Sequence, residues 1–478
     1  MIDDWPDADE VIASAAPRGF DPHAIADILP PPLCEDALAL EFSRVHGNDW
    51  RYVSGWSRWM GWDGKRWAKE DTLQVFDLAR RVCRDVDARN AKNDGTTRGV
   101  KAATVANVER LARADRRHAS KSDQWDNDLW TLNTPGGIVD LRTGGIRPHD
   151  RTRLMSKITA ATPQGLCPVW DSFLRDVTDG DDELAHYLAR VAGYALTGVT
   201  TEHALFFFYG TGGNGKSIFL STLAAILGDY STTAAMDTFL ASKSDRHPTD
   251  LAGLQGARAV TCGEVEQGRR WAEAKVKEIT GGGKISARLM RQDFFEFTPQ
   301  FKLLAAGNNK PAIFDVDQGI RRRMHLIPFT VTIPADKRDP DLAVKLLAEA
   351  DGIMAWALRG CMEWQADGLT PPSIVVSATE EYLSGEDSIA RWIHECCIKS
   401  PQAKTLSATL FASWKTWAEL NGEFVGSAKK FGQSLQKHGL KPYRTNSNSG
   451  FAGICMKGEA VQEDMPTYTD LDSPEYDN

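Results

Sequence analysis

The chain has 478 residues, enough for more than one domain, and its 42% apolar and 25% charged content is that of an ordinary globular protein. No stretch reaches the length of a membrane span, the acidic start MIDDWPDADE lacks the basic flank of a signal peptide, and the eight cysteines are scattered, with Cys396 and Cys397 as the one close pair. These features argue against a membrane protein, a disulfide framework and a zinc site, and they read as a cytoplasmic chain with reduced thiols.

The net charge of −9 is unevenly spread. Residues 1–35 carry eight acidic residues and one arginine, and 463–478 carry six acidic residues and no base. Between them the chain is net positive. From Arg258 to Arg323 thirteen Lys and Arg stand against eight Asp and Glu, so the overall sign does not exclude a nucleic-acid partner.

In chain order, residues 1–35 read as an acidic, proline-bearing leader and 36–125 as a small aromatic-rich, basic helical region. Trp50 to Trp67 reads as a hairpin around Trp62-Asp63-Gly64-Lys65; its tryptophans either form a small core or, with interleaved arginine, stack on bases. Residues 72–121 read as helical, with Arg110, Arg113, Arg116 and Arg117 near one helical face, either solvated or in contact with nucleic acid. Residues 126–198 begin with a β-rich element built on two glycine turns. They continue into amphipathic helices at Trp170–Arg175 and Leu184–Leu196.

Next comes the stretch with the most chemistry. Ala204 to Tyr209 is a short apolar run of strand length, and Gly210, Thr211, Gly212, Gly213, Asn214, Gly215, Lys216 and Ser217 fit G-x-x-x-x-G-K-[ST]. Ile218 to Leu227 has helical spacing closed by Gly228. This is a P-loop in its strand–loop–helix setting. The glycines let backbone N–H groups turn toward phosphates, Lys216 reaches the β- and γ-phosphates, and the Ser217 hydroxyl is a Mg²⁺ ligand.

Arg258–Cys262 is the next strand candidate, and the acidic residue just past it, Glu264 first and Glu266 second, suits a magnesium-facing, water-activating role. Trp271–Ile279 reads as a helix closed by glycines. Lys284, Arg288 and Arg291 fall in a hairpin. Phe301–Ala306 is an apolar strand ending near Asn308, which either senses the γ-phosphate or forms a turn with Asn309. The run Arg321-Arg322-Arg323 precedes another short strand and suits either an arginine finger or a basic patch. Residues 336–387 read as a helical linker. Residues 388–457 read as three helices and a wing, with Lys429, Lys430, Lys437, Lys441 and Arg444 suited to DNA phosphates or, alternatively, a surface for protein contacts. An acidic tail, 458–478, follows.

The P-loop, the EVE segment, KEITGGGKISAR, FKLLAAGNNKP and GIRRRMHLIPF resemble, in that order, the Walker A, Walker B, B-prime, sensor and arginine-finger segments of superfamily 3 helicases. They are most similar to the helicase parts of phage and plasmid primase-helicases, which are related to the poxvirus replication NTPase. Residues 125–330 carry the likeness. It implies an α/β fold with an AAA+-type P-loop motor at 199–335, preceded by a helical module and followed by a winged helix. It further implies ATP and Mg²⁺ as cofactors, single-stranded and forked DNA as partners, a hexameric ring and 3′ to 5′ unwinding. Carried over by position, Lys216, Ser217, Glu264 and Asn308 take the catalytic and metal roles, and Arg322 or Arg323 the finger. Lys277, Lys284, Arg288 and Arg291 fall in the DNA-touching region. Where relatives carry Gly-Gly-Asp, this chain has Gly282-Gly283-Lys284, which makes that loop more basic. No acidic cluster or zinc motif precedes the match, so primer synthesis is expected from a separately encoded primase or polymerase. The alternative to a helicase is an ATP-regulated DNA-binding initiator or loader; a weaker third reading is a P-loop kinase or a motor acting on protein.

Overall fold

A computed structural model describes residues 30–31, 33–94, 99–242, 249–290, 293–313, 316–421, 423, 425–445 and 448–458. The acidic leader, except for its last few residues, and all of the acidic tail beyond residue 458 lie outside the described residues. The chain divides into two compact units, Met1–Asp128 with Arg147–Ile158, and Leu129–Ile146 with Thr159–Asn478.

In the first unit, helix α1 (Glu35–His46) leads into strands β1 (Trp50–Val53), β2 (Arg58–Trp62) and β3 (Trp67–Lys69). Helices α2 (Gln74–Asp94) and α3 (Ala102–Ala112) and the short β4 (Ala119–Ser120) follow, and the sheet order is β3-β2-β1-β4. The hairpin expected around Trp62 to Lys65 is formed by β2 and β3, and β1 extends it to a meander. Trp50, Trp59 and Trp67 are buried in it, which favours the core role over base stacking for these three rings. The four arginines do not share a helical face. Helix α3 stops at Ala112, and Asp115 accepts from the Arg117 amide at 2.9 Å, folding the chain into a turn. Arg113 pairs with Glu109 on α3, and Arg117 with Asp115 in that turn.

The second unit opens with the hairpin β5 (Thr131–Thr134) and β6 (Gly137–Asp140), then helices α4 (Pro168–Thr178) and α5 (Asp182–Leu196). Asp181 caps α5 by accepting from the Leu184 amide at 3.0 Å. The central sheet holds β7 (Leu205–Tyr209), β8 (Ser231–Thr233), β9 (Ala259–Cys262), β12 (Lys302–Gly307) and β13 (Met324–Pro328) in the order β13-β7-β12-β9-β8. Every pairing is parallel. Such a sheet is covered on both faces, so its strands other than the edge strand β8 are mainly apolar runs with alternate residues entering two cores. Phe206 and Phe208 enter one core, with α4, α5 and α6 (Lys216–Leu227); Leu205 and Phe207 enter the other, with α7 (Glu273–Thr280). Between β9 and β12 the hairpin β10 (Ile285–Ala287) and β11 (Phe295–Phe297) stands apart as a two-stranded sheet. The four-residue helix α8 (Gln318–Arg321) precedes β13.

Helices α9 (Leu342–Ala348), α10 (Ala350–Asp367) and α11 (Ser373–Glu386) follow. Helix α10 crosses α5 at glycines: a Cβ on Gly193 would lie 2.0 Å from the Cys361 nitrogen, and one on Gly360 2.0 Å from the Ala189 oxygen. Two buried cations fasten the end of α5 to the sheet. Arg258 donates to the Leu196 and Thr131 carbonyls, both at 2.6 Å, and Lys302 to the Thr197 carbonyl at 2.5 Å. Burial, with Arg258 nearby, pushes the Lys302 pKa well down.

The C-terminal part has three helices, α12 (Ser388–Cys396), α13 (Ser407–Leu420) and α14 (Ala428–Lys437). Its antiparallel sheet consists of β14 (Cys397–Leu406), β15 (Lys441–Arg444) and β16 (Ser449–Met456), in the order β14-β16-β15. Trp392, Trp414 and Phe431 pack its core.

Candidate functional site

Strand β7 lies between β12 and β13 in the sheet, while the strands that follow it in the chain run first to the β9 side and later to β13. Such a reversal opens a crevice at the carboxyl ends of the strands. A pocket of about 320 Å³ occurs there, lined by Gly212 to Ile218, by Gly263 and Glu264 after β9, and by Ala306, Gly307 and Asn308 at the end of β12.

The loop's shape depends on its glycines for different reasons. Gly210, Gly213 and Gly215 all have positive φ. A Cβ on Gly210 would meet the Phe329 carbonyl oxygen at 1.9 Å; one on Gly215 would meet Val177 at 2.6 Å, and one on Gly213 the Arg338 guanidinium at 2.4 Å. A Cβ on Gly212 would meet nothing within 4 Å beyond its chain neighbours.

Lys216 is 5% exposed and turns back on its own loop. Its Nζ donates to the Gly210 carbonyl at 2.7 Å, the Thr211 carbonyl at 3.2 Å, Asn214 Oδ1 at 2.9 Å and Asn308 Oδ1 at 3.3 Å. Burial lowers its pKa, and the Glu264 carboxylate works in the opposite direction. Oxygens thus surround the ammonium where an anion would compete for its protons. Ser217 is exposed at the first turn of α6. An anionic phosphate chain would fit this cradle of glycine backbone, lysine and helix N-terminus, and Ser217 and Glu264 bring a hydroxyl and a carboxylate, the oxygens a divalent cation would need, to the same pocket lining.

The pocket therefore gathers Lys216, Ser217, Glu264 and Asn308. Gly210 and Thr211 contribute carbonyls to Lys216 but do not line it. Glu266 is exposed and does not line it either. The three arginines separate sharply. Arg321 pairs with Glu380 on α11. Arg322 is exposed, its amide donates to the Gln318 carbonyl at 3.2 Å, and its side chain makes no hydrogen bond or ion pair among the described residues. Arg323 is 7% exposed and donates to Thr280 Oγ1 at 3.0 Å and the Gly319 carbonyl at 2.7 Å.

The residues expected to face nucleic acid are dispersed. Lys277 pairs with Asp317 at 2.5 Å. Lys284, next to β10, is loosely paired with Glu296 at 3.8 Å. Arg288 stacks on Phe294 at 4.9 Å beside the exposed Leu289 and Met290, and Arg291 lies outside the described residues. Lys429 and Lys430 are exposed on α14, as are Lys437 at its end and Lys441 and Arg444 on β15.

Two contacts of the loop were not foreseen from the sequence, one made by a loop residue already named as cofactor-binding and one by a residue that was not named. Asn214, 3% exposed, ties the loop to the end of the sheet by donating to the Phe329 carbonyl at 2.6 Å. Arg338 lies against Gly213 and is held by its Nε bond to the Ile333 carbonyl at 2.9 Å. A buried asparagine inside a glycine-rich loop was a legible signal; nothing local to Arg338 announces its contact.

Fold and pocket define a mixed α/β protein with a parallel sheet and a glycine-rich loop at its switch point. Comparison with known proteins narrows this: residues 39–179 match the family described as D5 N terminal like, and 208–323 a family of unknown function, DUF5906. "Putative helicase L207/L206" of Acanthamoeba polyphaga mimivirus is 25% identical over 352 residues, covering 68% of this chain and 36% of its own length. "Putative helicase 022R" of Frog virus 3 (isolate Goorha) is 24% identical over 262 residues, 50% of this chain and 27% of its own. The chain thus spans about a third of the length of these relatives. Among solved structures, the apo NrS-1 C terminal region aligns with a TM-score of 0.45 and 10% identity, over 87% of this chain and 99% of that one. The chain resembles the primase-helicases of phages and viruses.

Proposed function

We propose that the chain is an ATP-dependent replicative DNA helicase of phage or plasmid type, which assembles as a ring and moves on single-stranded DNA. One observation carries the reading: Lys216 and Ser217 after β7, Glu264 after β9 and Asn308 after β12 converge in one pocket from three adjacent strand ends. That is the arrangement a P-loop motor of AAA+ type needs. Lys216 and the loop amides bind the phosphates, while Ser217 and Glu264 hold Mg²⁺, which when bound offsets phosphate charge. Glu264 orients the attacking water and accepts its proton, and Asn308 reads the terminal phosphate. Exposed Arg322 is the finger, directed at the nucleotide of a neighbouring subunit. The β10–β11 hairpin, with Lys284 and Arg288, faces the translocating strand. Helices α12–α14 with the β15–β16 pair form a winged helix, whose Lys429 and Lys430 contact DNA phosphates.

Purified chain is expected to hydrolyse ATP faster with single-stranded DNA and to separate a forked duplex. Lys216→Ala should lower turnover about 10²–10³-fold, the cost of losing one well-placed donor to developing charge. DNA-dependent ATP turnover without separation of the fork would favour the initiator or loader reading. Turnover unaffected by DNA would refute both.

A further inference from the structure

Between the hairpin and the arginine run lies a polar junction that the nucleotide pocket does not use. Helix α7 ends at Thr280 and passes through Gly281, Gly282 and Gly283 directly into the hairpin. Near that end it is fastened twice to the turn that carries Arg322. Thr280 Oγ1 accepts from Arg323 Nε at 3.0 Å, and Lys277 Nζ donates to Asp317 Oδ2 at 2.5 Å. The other oxygen of Asp317 caps α8 by accepting from the Ile320 amide at 2.9 Å. Gly319 is where the two attachments meet: a Cβ there would stand 3.2 Å from Lys277 Cε and 3.1 Å from Asp317 Oδ1, while its carbonyl takes the second Arg323 bond.

The opposite side of the turn is hollow. A cavity of about 500 Å³ separates Asp317, Gln318, Gly319 and Arg321 from Asp387 and His438 in the C-terminal part. The four-residue helix puts only Ile320 into the core and pairs Arg321 with Glu380, while the cavity borders its remaining residues, so a small rotation about Ile320 meets no packed side chains on that face.

We propose that the Lys277–Asp317 and Arg323–Thr280 contacts couple the hairpin to Arg322, so that a strand engaging one subunit's hairpin sets that subunit's arginine against its neighbour's nucleotide. Asp317 and Thr280 are then positioning residues. Arg323 is the buried strut that leaves Arg322 as the projecting arginine. The inference rests on the helicase reading above.

The test compares ATP turnover of the full chain with and without oligo-dT for wild type, Asp317→Asn, Thr280→Val and Thr280→Ser. Asparagine keeps the helix cap and removes the charge; valine keeps the shape and removes the acceptor; serine restores it. Both disruptive variants should keep DNA-free turnover within about twofold and lose about fivefold or more of the stimulation, the lower range of measured coupling between sites. Thr280→Ser should behave as wild type. Undiminished stimulation in Asp317→Asn and Thr280→Val, with a responsive wild type, would overturn the coupling alone. Equal loss of DNA-free and DNA-stimulated turnover would also overturn it, since that marks a merely structural role. A wild type indifferent to DNA would overturn the helicase reading and the coupling together. Should Thr280→Val fail to fold, Asp317→Asn decides.

Discussion

Replacing the loop glycines one at a time by alanine should give a steep order of damage, read as stability of the chain without nucleotide. At Gly210 the new methyl would stand 1.9 Å from the Phe329 carbonyl oxygen, on a backbone with φ of 152°. The carbonyl cannot swing aside, because it already accepts from Asn214 Nδ2 at 2.6 Å and belongs to the residue whose amide donates to Tyr209. The unfavourable φ costs about 1–2 kcal/mol and forced repacking about 1–3 kcal/mol more, so Gly210→Ala should lose about 2–5 kcal/mol. Gly215→Ala meets Val177 and Phe173 side chains, which yield partly, and Gly213→Ala meets only the movable Arg338, so both should fall below Gly210→Ala. Gly212→Ala should stay within about 0.5 kcal/mol. Denaturant midpoints followed by tryptophan fluorescence measure this. A Gly212→Ala variant as unstable as Gly210→Ala would refute the reasoning, because the requirement for glycine would then come from something other than the Phe329 carbonyl.

The arginines give a second contrast: Arg322→Ala should lower ATP turnover about 10³-fold or more while leaving the melting curve unchanged. Arg323→Ala should instead lower stability by about 1–3 kcal/mol, since Thr280 and Gly319 lose their donor. A stable Arg323→Ala with Arg322→Ala fully active would reverse these assignments. A third prediction concerns acid. Burial pushes the His325 pKa down to about 4, and its ring takes part in a 2.7 Å hydrogen bond with the Tyr187 hydroxyl. The unfolded chain therefore binds the proton more readily between pH 6.5 and about 4, and stability should fall as pH drops through that window, by up to about 3 kcal/mol. His325→Phe should flatten that part of the pH profile, and an unchanged slope would assign it to other groups.

The sheet was legible where burial on both faces forces unbroken apolar runs: β7, β9 and β12 lie within a residue or two of their expected positions, and β13 directly follows the arginine run as expected. Strand β8 was not, because Ser-Thr-Thr carries no apolar signal and gains its place by pairing with β9. Strand β14 was hidden by Pro401; it runs along a sheet edge and its register shifts between Lys399 and Lys404, which is where a proline can be accommodated. Glu264 and Asn308 could be read because both follow strand ends, and strand ends in a parallel sheet share one rim. What local sequence cannot carry is the fate of neighbouring identical residues. Arg322 and Arg323 differ only in that one meets Thr280 and Gly319, a fact of long-range packing. Lys277 likewise looks like any basic residue until Asp317 is placed beside it.

The two cations at the end of α5 have a mechanical consequence. Lys302 sits over the Tyr194 ring at 4.5 Å and is otherwise held by the oxygens of Thr197 and Gln300, so its ammonium is satisfied at one register only. Sliding α5 along β12 by a residue would strand a buried charge, at several kcal/mol, so this seam resists shear. On the opposite side of the sheet, α8 buries one apolar residue, Ile320, and its other attachments are polar contacts that can be traded for water at lower cost. A distortion of the sheet would therefore be taken up first at the arginine turn, with the α5 seam acting as the fixed abutment.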